Sequence, residues 1–557
     1  MQKDRVTTLK HIAIITAAYM LAHFFLLILS GCWWDDWTFM RHDLEYVHMV
    51  ASQSGRPEWD LLIPLCWSST NNGRVLIFFI YYLISIFLYV SLKNSKIFDE
   101  IESLIITLIF TVIPVNESRL LISNFPYTIG LLFFYFALML FIKWNNGVKR
   151  IIPRICILLL FLISFILNSL LAFFYIIFIY LFIIELRKNK EKKALNRVII
   201  STKNILIKYI DFFILPFIFF IGNKVLFPIT DSNFVARSSI TINGVLKCFK
   251  YIPLSILNII KQISTQFIKC LSNWFVLLLC TIVIFIIIIF CKKNKRNSIS
   301  PLLMVLFGLI VLVLGVFAYV EIRSGTLSSI GVKGRDTILV PFGLSLIIFG
   351  LVSSFNNKIK IAICSIVILL GILSFNLLYI EWQKDYYYQL SMENLLDNEV
   401  VKNNDTFFLA DLNESNVKGQ RYYSLNINAN HVFNDETRFF IPKVSNLYML
   451  KSKKDIDNAK QLLKNSYAMK DYNPDDYYLD AIIIYKNNLD WKDVIKLKYL
   501  EMFDFYEFIK KIDNLGEMET IEVDNGFTMK LLEEFDKGNI NSDIDVVNLL
   551  EVYYNNY

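Results

Sequence analysis

Long apolar runs recur along the first 380 residues of this chain, and they constrain its fold more than any other feature. The stretches Val75–Leu92, Trp274–Phe290 and Leu302–Val320 carry no charged residue. A helix needs roughly 20 apolar residues to cross the hydrocarbon core of a bilayer. One short run of this kind could form a core helix, but many long runs in series indicate an α-helical polytopic membrane protein.

About 11 segments are long enough to cross a bilayer, and we predict one transmembrane helix for each. The first is too long for the apolar part of a cleaved signal peptide and has no A-x-A-like site after it, so it is predicted to be retained. Segments 151–167 and 169–186 form either a tight helical hairpin or one broken helix, because only Asn168 separates them. The predicted spans are 10–30, 74–92, 101–116, 127–143, 151–167, 169–186, 206–228, 272–291, 300–320, 336–355 and 360–380.

Lysine and arginine concentrate in alternate loops, which predicts the orientation of these spans. The N-terminus is predicted to be cytoplasmic and, after an odd number of spans, the C-terminal part is extracytoplasmic. The long connections 31–73 and 229–271 then lie on the outer side. The basic positions are Lys3, Arg5, Lys10, Lys93, Lys96, Lys143, Lys149, Arg150, the run 187–193, the run 292–296, Lys358 and Lys360.

The second outer loop ends in an amphipathic segment, Gly244–Leu271. Its lysines alternate with Ile, Leu and Phe, which is typical of a helix that lies on a membrane surface. The same pattern fits a structural helix packed between spans. The lysines are residues 247, 250, 261 and 269.

Residues 381–557 are predicted to form a soluble extracytoplasmic α/β domain that follows the transmembrane domain 1–380. Thr406–Asp411 and Ala481–Tyr485 are short apolar runs bounded by polar residues, as buried strands are. Thr520–Val523 and Phe527–Leu532 could pair as a hairpin around the Asp-Asn-Gly sequence between them. Helices are predicted at 386–402, 455–467 and 491–512.

The charge of the chain divides at the same boundary. Residues 381–557 contain 20 Lys and Arg against 32 Asp and Glu, whereas residues 1–380 contain 36 against 17. An acidic outer domain on a basic membrane part fits this division, and no nucleic-acid partner is indicated. The chain also has no P-loop, no GxGxxG and no HExxH, so ATP-driven or soluble-nucleotide chemistry lacks its usual signature.

The most distinctive polar motif is Gly31-Cys-Trp-Trp-Asp-Asp-Trp, directly after the first predicted span. One of its adjacent carboxylates, Asp35 and Asp36, could act as general base on a sugar hydroxyl while the other orients substrate or binds a metal ion. Two like charges this close also raise the pKa of one carboxyl toward the range of a base. Trp34 and Trp37 offer flat faces for sugar rings. The alternative is a solvated pair of carboxylates beside an interfacial aromatic belt.

Other charged residues stand where predicted spans begin or end, and we take them as candidate substrate-binding residues. Arg74 opens the second span and could bind a phosphate with two parallel hydrogen bonds; alternatively it snorkels at a helix end. Glu117 and Arg119 follow the third span, where they could also be ordinary loop charges. Lys333 and Arg335 lie in a glycine-flanked loop that could grip a lipid phosphate, or that is an ordinary outer loop.

This combination resembles the GT-C superfamily of polytopic membrane glycosyltransferases. The similarity is closest to bacterial members of the O-antigen glucosyltransferase and uncharacterised surface-polysaccharide types, in which a DD motif is followed by a GR dipeptide at the second span. It rests on Asp35-Asp36 and Gly73-Arg74 and covers the order of elements in residues 1–380. It does not extend to the C-terminal domain.

The resemblance implies a reaction in the bacterial plasma membrane. A polyprenyl-phosphate sugar would be the donor, and a cell-envelope glycan or lipid-linked acceptor would receive the sugar outside the membrane. Asp35 or Asp36 would be the base, and Arg74 and Arg335 would neutralise the lipid phosphate as it departs. Glu117 is the candidate for a second acid, and a divalent metal ion is a candidate cofactor.

Three other classes of function compete with this expectation. A surface-polysaccharide polymerase would typically carry its large outer loop between spans and not at the C-terminus. A transporter or flippase of lipid-linked saccharides would need charged residues at mid-membrane depth and inverted repeats. A binding protein that works through residues 381–557 would tolerate replacement of Asp35 and Asp36.

Overall fold

The computed structural model of the chain is mostly helical, with one small β-sheet. It describes residues 2–37, 44–66, 70–189, 194–230, 242–272, 278, 300–323, 325–412, 425, 426, 429, 432, 433, 437–450, 478–487 and 489–555. The chain divides into two compact units. The helical unit comprises Met1–Ile28 and Leu44–Leu378, and the sheet unit comprises Leu29–Asp43 and Tyr379–Tyr557.

Helices account for nearly all of the regular structure in the helical unit, joined by short 3-10 turns such as Glu117–Leu120 and Gly331–Thr337. The helices that begin in this unit are Gln2–His23, Phe25–Ile28, Leu44–Gln53, Pro57–Leu62, Thr70–Asn94, Glu100–Val112, Phe125–Asn146, Ile151–Ser164, Leu170–Phe173, Ile176–Lys188, Ala194–Lys208, Ile210–Leu226, Ile242–Leu271, Pro301–Arg323, Val340–Val352 and Asn357–Leu396.

Among the described residues, five helical segments are long and apolar enough to cross a bilayer. They are Asn72–Asn94, Ile122–Asn146, Leu170–Lys188, Pro301–Arg323 and Asn357–Leu396. The number rises to seven if each of two bent pairs, with bends of 61° and 73°, is one span. The described residues therefore do not confirm the predicted number of 11, and the predicted span 272–291 lies almost entirely outside them.

Two predicted spans are interrupted for a local reason. The predicted span 336–355 is bent because Gly331–Thr337 is a 3-10 turn and the following helix begins afresh at Val340, with Pro341 in its first turn. Proline has no backbone N–H and therefore suits the start of a helix. The predicted span 206–228 breaks at Tyr209, between helices that end at Lys208 and begin at Ile210.

Close helix packing in this unit depends on small residues. The helices Pro301–Arg323 and Val340–Val352 make the most extensive helix–helix contact of the described residues. A Cβ added to Gly343 would lie only 2.7 Å from the backbone nitrogen of Leu312, so only glycine lets these backbones approach so closely. Small residues play this part at many interfaces between transmembrane helices.

The sheet unit contains a four-stranded sheet of order β2-β1-β3-β4. β1 (Thr406–Asp411) pairs in parallel with β2 (Phe439–Pro442) and with β3 (Ala481–Asn487). β4 (Gly516–Glu522) pairs antiparallel with β3. Buried parallel strands read as continuous apolar runs, and this is why the sequence alone located β1 and β3.

Both faces of this sheet are covered, so the sheet unit is a layered α/β fold. On one face, Phe408 and Ile482 belong to an apolar cluster with Phe527 and Val546 of two C-terminal helices. On the other face, Phe407 and further strand residues pack against the long helix Asn357–Leu396 through Tyr388, Met392 and Leu396. The remaining helices of the unit are Glu399–Asn403, Trp491–Phe503, Phe505–Asp513, Asn525–Asp536 and Asp543–Asn555.

The predicted hairpin at 520–532 is wrong. β4 ends at Glu522, and Asn525–Asp536 is a helix. The Asp524 side chain accepts a hydrogen bond of 2.7 Å from the backbone N–H of Phe527, so it caps the helix N-terminus. Asp-Asn-Gly therefore starts a helix here and does not turn a hairpin.

Two of the three helices predicted for this domain coincide with helices of the structure. The helix predicted at 386–402 is the end of Asn357–Leu396 followed by Glu399–Asn403, and the one predicted at 491–512 is two helices that divide at Asp504. Asp504 caps the second of these by accepting a hydrogen bond from the backbone N–H of Glu507. The helix predicted at 455–467 lies outside the described residues.

Candidate functional site

The paired carboxylates lie in the sheet unit, in the segment Leu29–Asp43. Asp36 is completely buried, whereas Asp35 is half-buried. Neighbouring residues of a helix point about 100° apart, so one carboxylate can face protein while the other faces outward. Asp35 is therefore the carboxylate of the pair that a substrate hydroxyl reaches more easily.

Hydrogen bonds fix the start of this segment within the sheet unit. The Ser30 backbone N–H donates to Oε1 of Gln383 at 3.0 Å. The Ser30 hydroxyl donates to Oε1 of Glu501 at 2.5 Å and accepts from Nζ of Lys498 at 2.7 Å. Lys498 also pairs with Glu501 at 2.9 Å. This partly buried network holds the carboxylate-bearing segment at a defined place in the sheet unit.

The tryptophans beside the carboxylates are packed inside the protein. Trp34 is 2% exposed, and Trp37 is 7% exposed and belongs to the apolar cluster that covers one face of the sheet. Trp33 meets Trp382 edge to face, with ring centroids 5.3 Å apart. Neither Trp34 nor Trp37 presents an open ring face to a sugar, so the predicted stacking role is not retained in our proposal.

The other predicted site residues belong to the helical unit, where Arg74 is completely buried near the start of the helix Thr70–Asn94. This helix packs against both 3-10 turns of the segment 117–124. Asn116, which precedes the first of these turns, donates from Nδ2 to the Tyr81 hydroxyl at 2.8 Å. The helix that carries Arg74 therefore packs against the Glu117 turn. We call Arg74, the turn Glu117–Leu120 and the loop 331–337 of the helical unit the charged end.

Glu117 connects two chain segments that are far apart in sequence. Its Oε2 accepts a hydrogen bond of 2.8 Å from the Gly331 backbone N–H, and its own N–H donates to the Ser329 carbonyl at 3.3 Å. A Cβ on Gly334 would lie 2.8 Å from the Glu117 backbone nitrogen, so the two turns are in close contact. The structure thus brings together Glu117 and the glycine-flanked loop, two elements that the sequence placed in the same site.

Arg119 uses its guanidinium inside the protein. It donates to the carbonyls of Val115 at 2.9 Å and Asn116 at 3.3 Å. The same group lies over the rings of Tyr81 and Phe375, 5.0 and 4.4 Å from their centroids. These contacts suit a residue that holds the Glu117 turn in shape, and we leave Arg119 out of the proposed substrate contacts.

The glycine-flanked loop concentrates positive charge. Lys333 is exposed and Arg335 is half-buried. Asp336 is buried and accepts two hydrogen bonds from Arg323, at 2.9 and 3.2 Å, while Nε of Arg335 lies 3.7 Å from the same carboxylate. Two arginines, Arg323 and Arg335, therefore share the Asp336 carboxylate. With Lys333, the residues 331–337 carry two cations against one carboxylate, which favours an anionic ligand there.

Two polar residues next to the charged end, Gln262 and Ser329, were not identified from the sequence. Gln262 accepts hydrogen bonds of 2.8 Å from both the N–H and the hydroxyl of Ser329. Ser329 in turn accepts from Glu117, so Gln262 supports the loop against which Glu117 lies. No local pattern marks a contact between residues 67 positions apart.

The predicted site residues thus fall into two groups. Glu117 contacts the loop that carries Lys333 and Arg335, and the helix that carries Arg74 packs against the Glu117 turn. Asp35 and Asp36 belong instead to the sheet unit. That these two groups of residues line one shared cavity stays a prediction.

A metal ion was one expected cofactor of the carboxylates. Within the part of the chain that the structure describes, no group of three or more His, Cys, Asp or Glu side chains is placed to hold a metal ion. We therefore assign no metal ligand.

Known proteins add no further constraint. The chain matches no protein-family model, and no curated protein is significantly similar to it.

Gly334 provides a direct test of the contact between the two turns. We expect Gly334→Ala to destabilise the protein by about 1–3 kcal/mol and to lower any activity of the charged end, because the methyl group would push the loop away from Glu117. Thermal unfolding of the purified protein measures the first effect. The matched control is Gly325→Ala in the same loop, where the added Cβ meets its nearest atom at 3.7 Å. Equal melting temperatures for both variants would contradict the contact.

Proposed function

We propose that this protein is a multi-pass glycosyltransferase of the bacterial plasma membrane that transfers a sugar from a polyprenyl-phosphate donor to a cell-envelope glycan. The observation that carries the proposal is the charged end, where Glu117 accepts a hydrogen bond from the cation-bearing loop 331–337 at the end of candidate spans. Cations at the end of such spans lie at the membrane surface. The phosphate of a lipid-linked sugar would lie at the same depth.

Donor binding would depend on electrostatics. Lys333 and Arg335 contact the lipid phosphate, and the buried Arg74 adds positive charge from the second span. When the sugar leaves, negative charge grows on that phosphate, and cations already in position stabilise the transition state without reorganising. Glu117 fixes the loop through Gly331 and so sets where these cations stand.

Acceptor activation would fall to the paired carboxylates. Asp35 takes the proton from the acceptor hydroxyl as that oxygen attacks the anomeric carbon of the donor sugar. The bond between that carbon and the phosphate oxygen breaks, and polyprenyl phosphate is the leaving group. Asp36 is buried and serves as a positioning residue for Asp35.

The proposal includes the topology expected from the sequence. It has about 11 spans, with a cytoplasmic N-terminus and residues 381–557 outside the membrane. The concentration of lysine and arginine in alternate loops supports this orientation.

The decisive experiment is glycan transfer in membranes that contain this protein, supplied with a panel of radiolabelled polyprenyl-phosphate sugars. We expect one donor to label a polymer, and we expect the double variant Lys333→Gln, Arg335→Gln to raise the KM for that donor. The matched control is Lys492→Gln, Lys496→Gln, which removes two exposed lysines from the sheet unit.

The rival functions give different outcomes. A flippase moves labelled lipid across the bilayer but transfers no sugar, and a polymerase links preformed oligosaccharide units without using single-sugar donors. Either result would reject the proposed reaction. Transfer that is unaffected by the loss of Lys333 and Arg335 would keep the reaction and reject the phosphate site.

A further inference from the structure

The helix Ile242–Leu271, which we call the lysine helix, has an unusual distribution of charge. Its thirty residues include four lysines and no Asp, Glu or Arg. All four lysines are exposed. They occupy positions 247, 250, 261 and 269, so they are spread along most of the helix length.

One face of the lysine helix is packed inside the helical unit. Cys248, Ile259 and Ile263 belong to an apolar cluster with residues of the helices Pro301–Arg323 and Val340–Val352. Near the C-terminal end of the lysine helix, Cys270 packs against Leu370. The helix is therefore anchored along its length by this face.

The middle of the lysine helix lies at a loop between candidate spans. Ser255 accepts from the Leu327 N–H at 3.0 Å, and Asn258 donates to the Leu327 carbonyl at 2.7 Å. Gln262 bonds to Ser328 and Ser329. Residues 327–329 connect the end of the helix Pro301–Arg323 to the 3-10 turn Gly331–Thr337. A helix that crossed the bilayer would instead place its middle at mid-membrane depth.

The opposite face is uncovered and exposes large apolar side chains. Leu246, Leu257 and Ile268 are 60%, 63% and 65% exposed. Successive members are 11 residues apart, close to three whole helical turns, so the three side chains lie on one line along the helix. Lys250 and Lys261 belong to the same face, since each follows one of these residues by four positions.

The combination of apolar side chains and lysines on this face distinguishes a helix that crosses the bilayer from one that lies in the interface. If the helix crossed a bilayer, Lys250 and Lys261 would lie in hydrocarbon, which costs several kcal/mol for each charge. If the helix lies in the interface, the leucines enter the acyl boundary while the lysines reach the headgroups. Lysines spread from position 247 to position 269 favour the second arrangement.

We propose that the exposed face of the lysine helix binds the headgroup layer of a bilayer that contains anionic lipids. Four exposed lysines on a helix that contains no Asp or Glu complement lipid phosphates, and Leu246, Leu257 and Ile268 supply the apolar contact. This surface does not depend on the proposed enzymatic activity. It would combine the two predictions for this segment, because one face packs against other helices of the helical unit and the other would meet the membrane surface.

Spin-label depth measurements on the full-length protein in phosphatidylcholine vesicles, with and without phosphatidylglycerol, test the proposal. Labels are attached at Leu246→Cys, Leu257→Cys and Ile268→Cys after Cys156, Cys280 and Cys291 have been replaced by serine. Along the helix axis these sites span about 33 Å. We expect all three labels at one depth, near the headgroups. The control pair, Leu302→Cys and Val313→Cys on a candidate span, is expected to differ by about 16 Å.

The role of charge is tested with K250Q/K261Q. We expect phosphatidylglycerol retained per protein from mixed vesicles to fall about fivefold for each lysine removed. K492Q/K496Q should leave this retention unchanged. Unequal depths like those of the control pair would overturn the proposal in favour of a spanning helix. Labels shielded from both lipid and water would overturn it in favour of a protein partner or second copy, and unchanged retention would overturn the anionic-lipid preference.

Discussion

Asparagine at position 35 is expected to lower the rate of sugar transfer by about 10²–10⁴-fold, the usual contribution of a general base. Asparagine has nearly the same shape as aspartate but cannot accept the proton of the acceptor hydroxyl. Because Asp35 is half-buried and not enclosed, the protein should still fold and insert normally. Initial rates with the labelled donor, together with thermal unfolding, separate chemistry from stability.

Two further variants make this result interpretable. Asp36→Asn changes a completely buried carboxylate, so its loss of rate should be accompanied by a lower melting temperature. Asp397→Asn removes a half-exposed carboxylate of the sheet unit and should leave both rate and melting temperature unchanged. If Asp35→Asn transfers sugar at the wild-type rate, the base lies elsewhere.

Alanine at position 37 is expected to lower the free energy of unfolding of the sheet unit by about 3–5 kcal/mol. Trp37 is 7% exposed and shares an apolar cluster with Phe408 and Ile482, so its truncation leaves a large cavity beneath the sheet. Trp37→Phe should recover part of this loss, because the phenyl ring fills part of the space. Denaturant unfolding of the full-length protein, followed by protease resistance of residues 379–557, measures the change.

The matched control for this prediction is Trp491→Ala. Trp491 is 54% exposed, and removing an exposed side chain typically changes stability by about 0.5 kcal/mol or less. A Trp37→Ala protein as stable as this control, but with weaker binding of glycan, would restore the sugar-stacking role that we have set aside.

Secondary structure could be predicted from the sequence where the pattern of apolar and polar residues within one segment determines it. The strand Thr406–Asp411 was located to the residue because a buried parallel strand is apolar on both faces. The lysine helix was also recognised from its periodicity. Both features depend on interactions within one short segment.

Sequence reasoning failed where distant segments decide the outcome. The Asp-Asn-Gly sequence at 524–526 is compatible with a turn and with a helix cap, and packing of Phe527 and Leu531 against the sheet selects the helix. Likewise, the tryptophans after the first predicted span look like an aromatic belt. Only the fold shows that Trp37 contributes to the core of a domain whose strands come much later in the chain.

In the candidate site, too, the sequence identified individual residues but not the contacts between distant segments. The charges at 117 and 331–336 could be identified from their positions beside apolar runs, but nothing local revealed that Glu117 bonds to Gly331. The Gln262–Ser329 contact and the Arg323–Asp336 ion pair also became apparent only in the fold.

The two-part composition of the sheet unit has a consequence for biosynthesis. Leu29–Asp43 leaves the ribosome early, and the strands that it packs against follow only after the whole stretch Leu44–Leu378 has been translated. During translation of Leu44–Leu378, Trp37 therefore has none of the strand residues against which it packs in the folded protein. A gene fragment that encodes only residues 379–557 would lack both Trp37 and the Ser30 network, so this domain cannot reach its native core as an independent translation product.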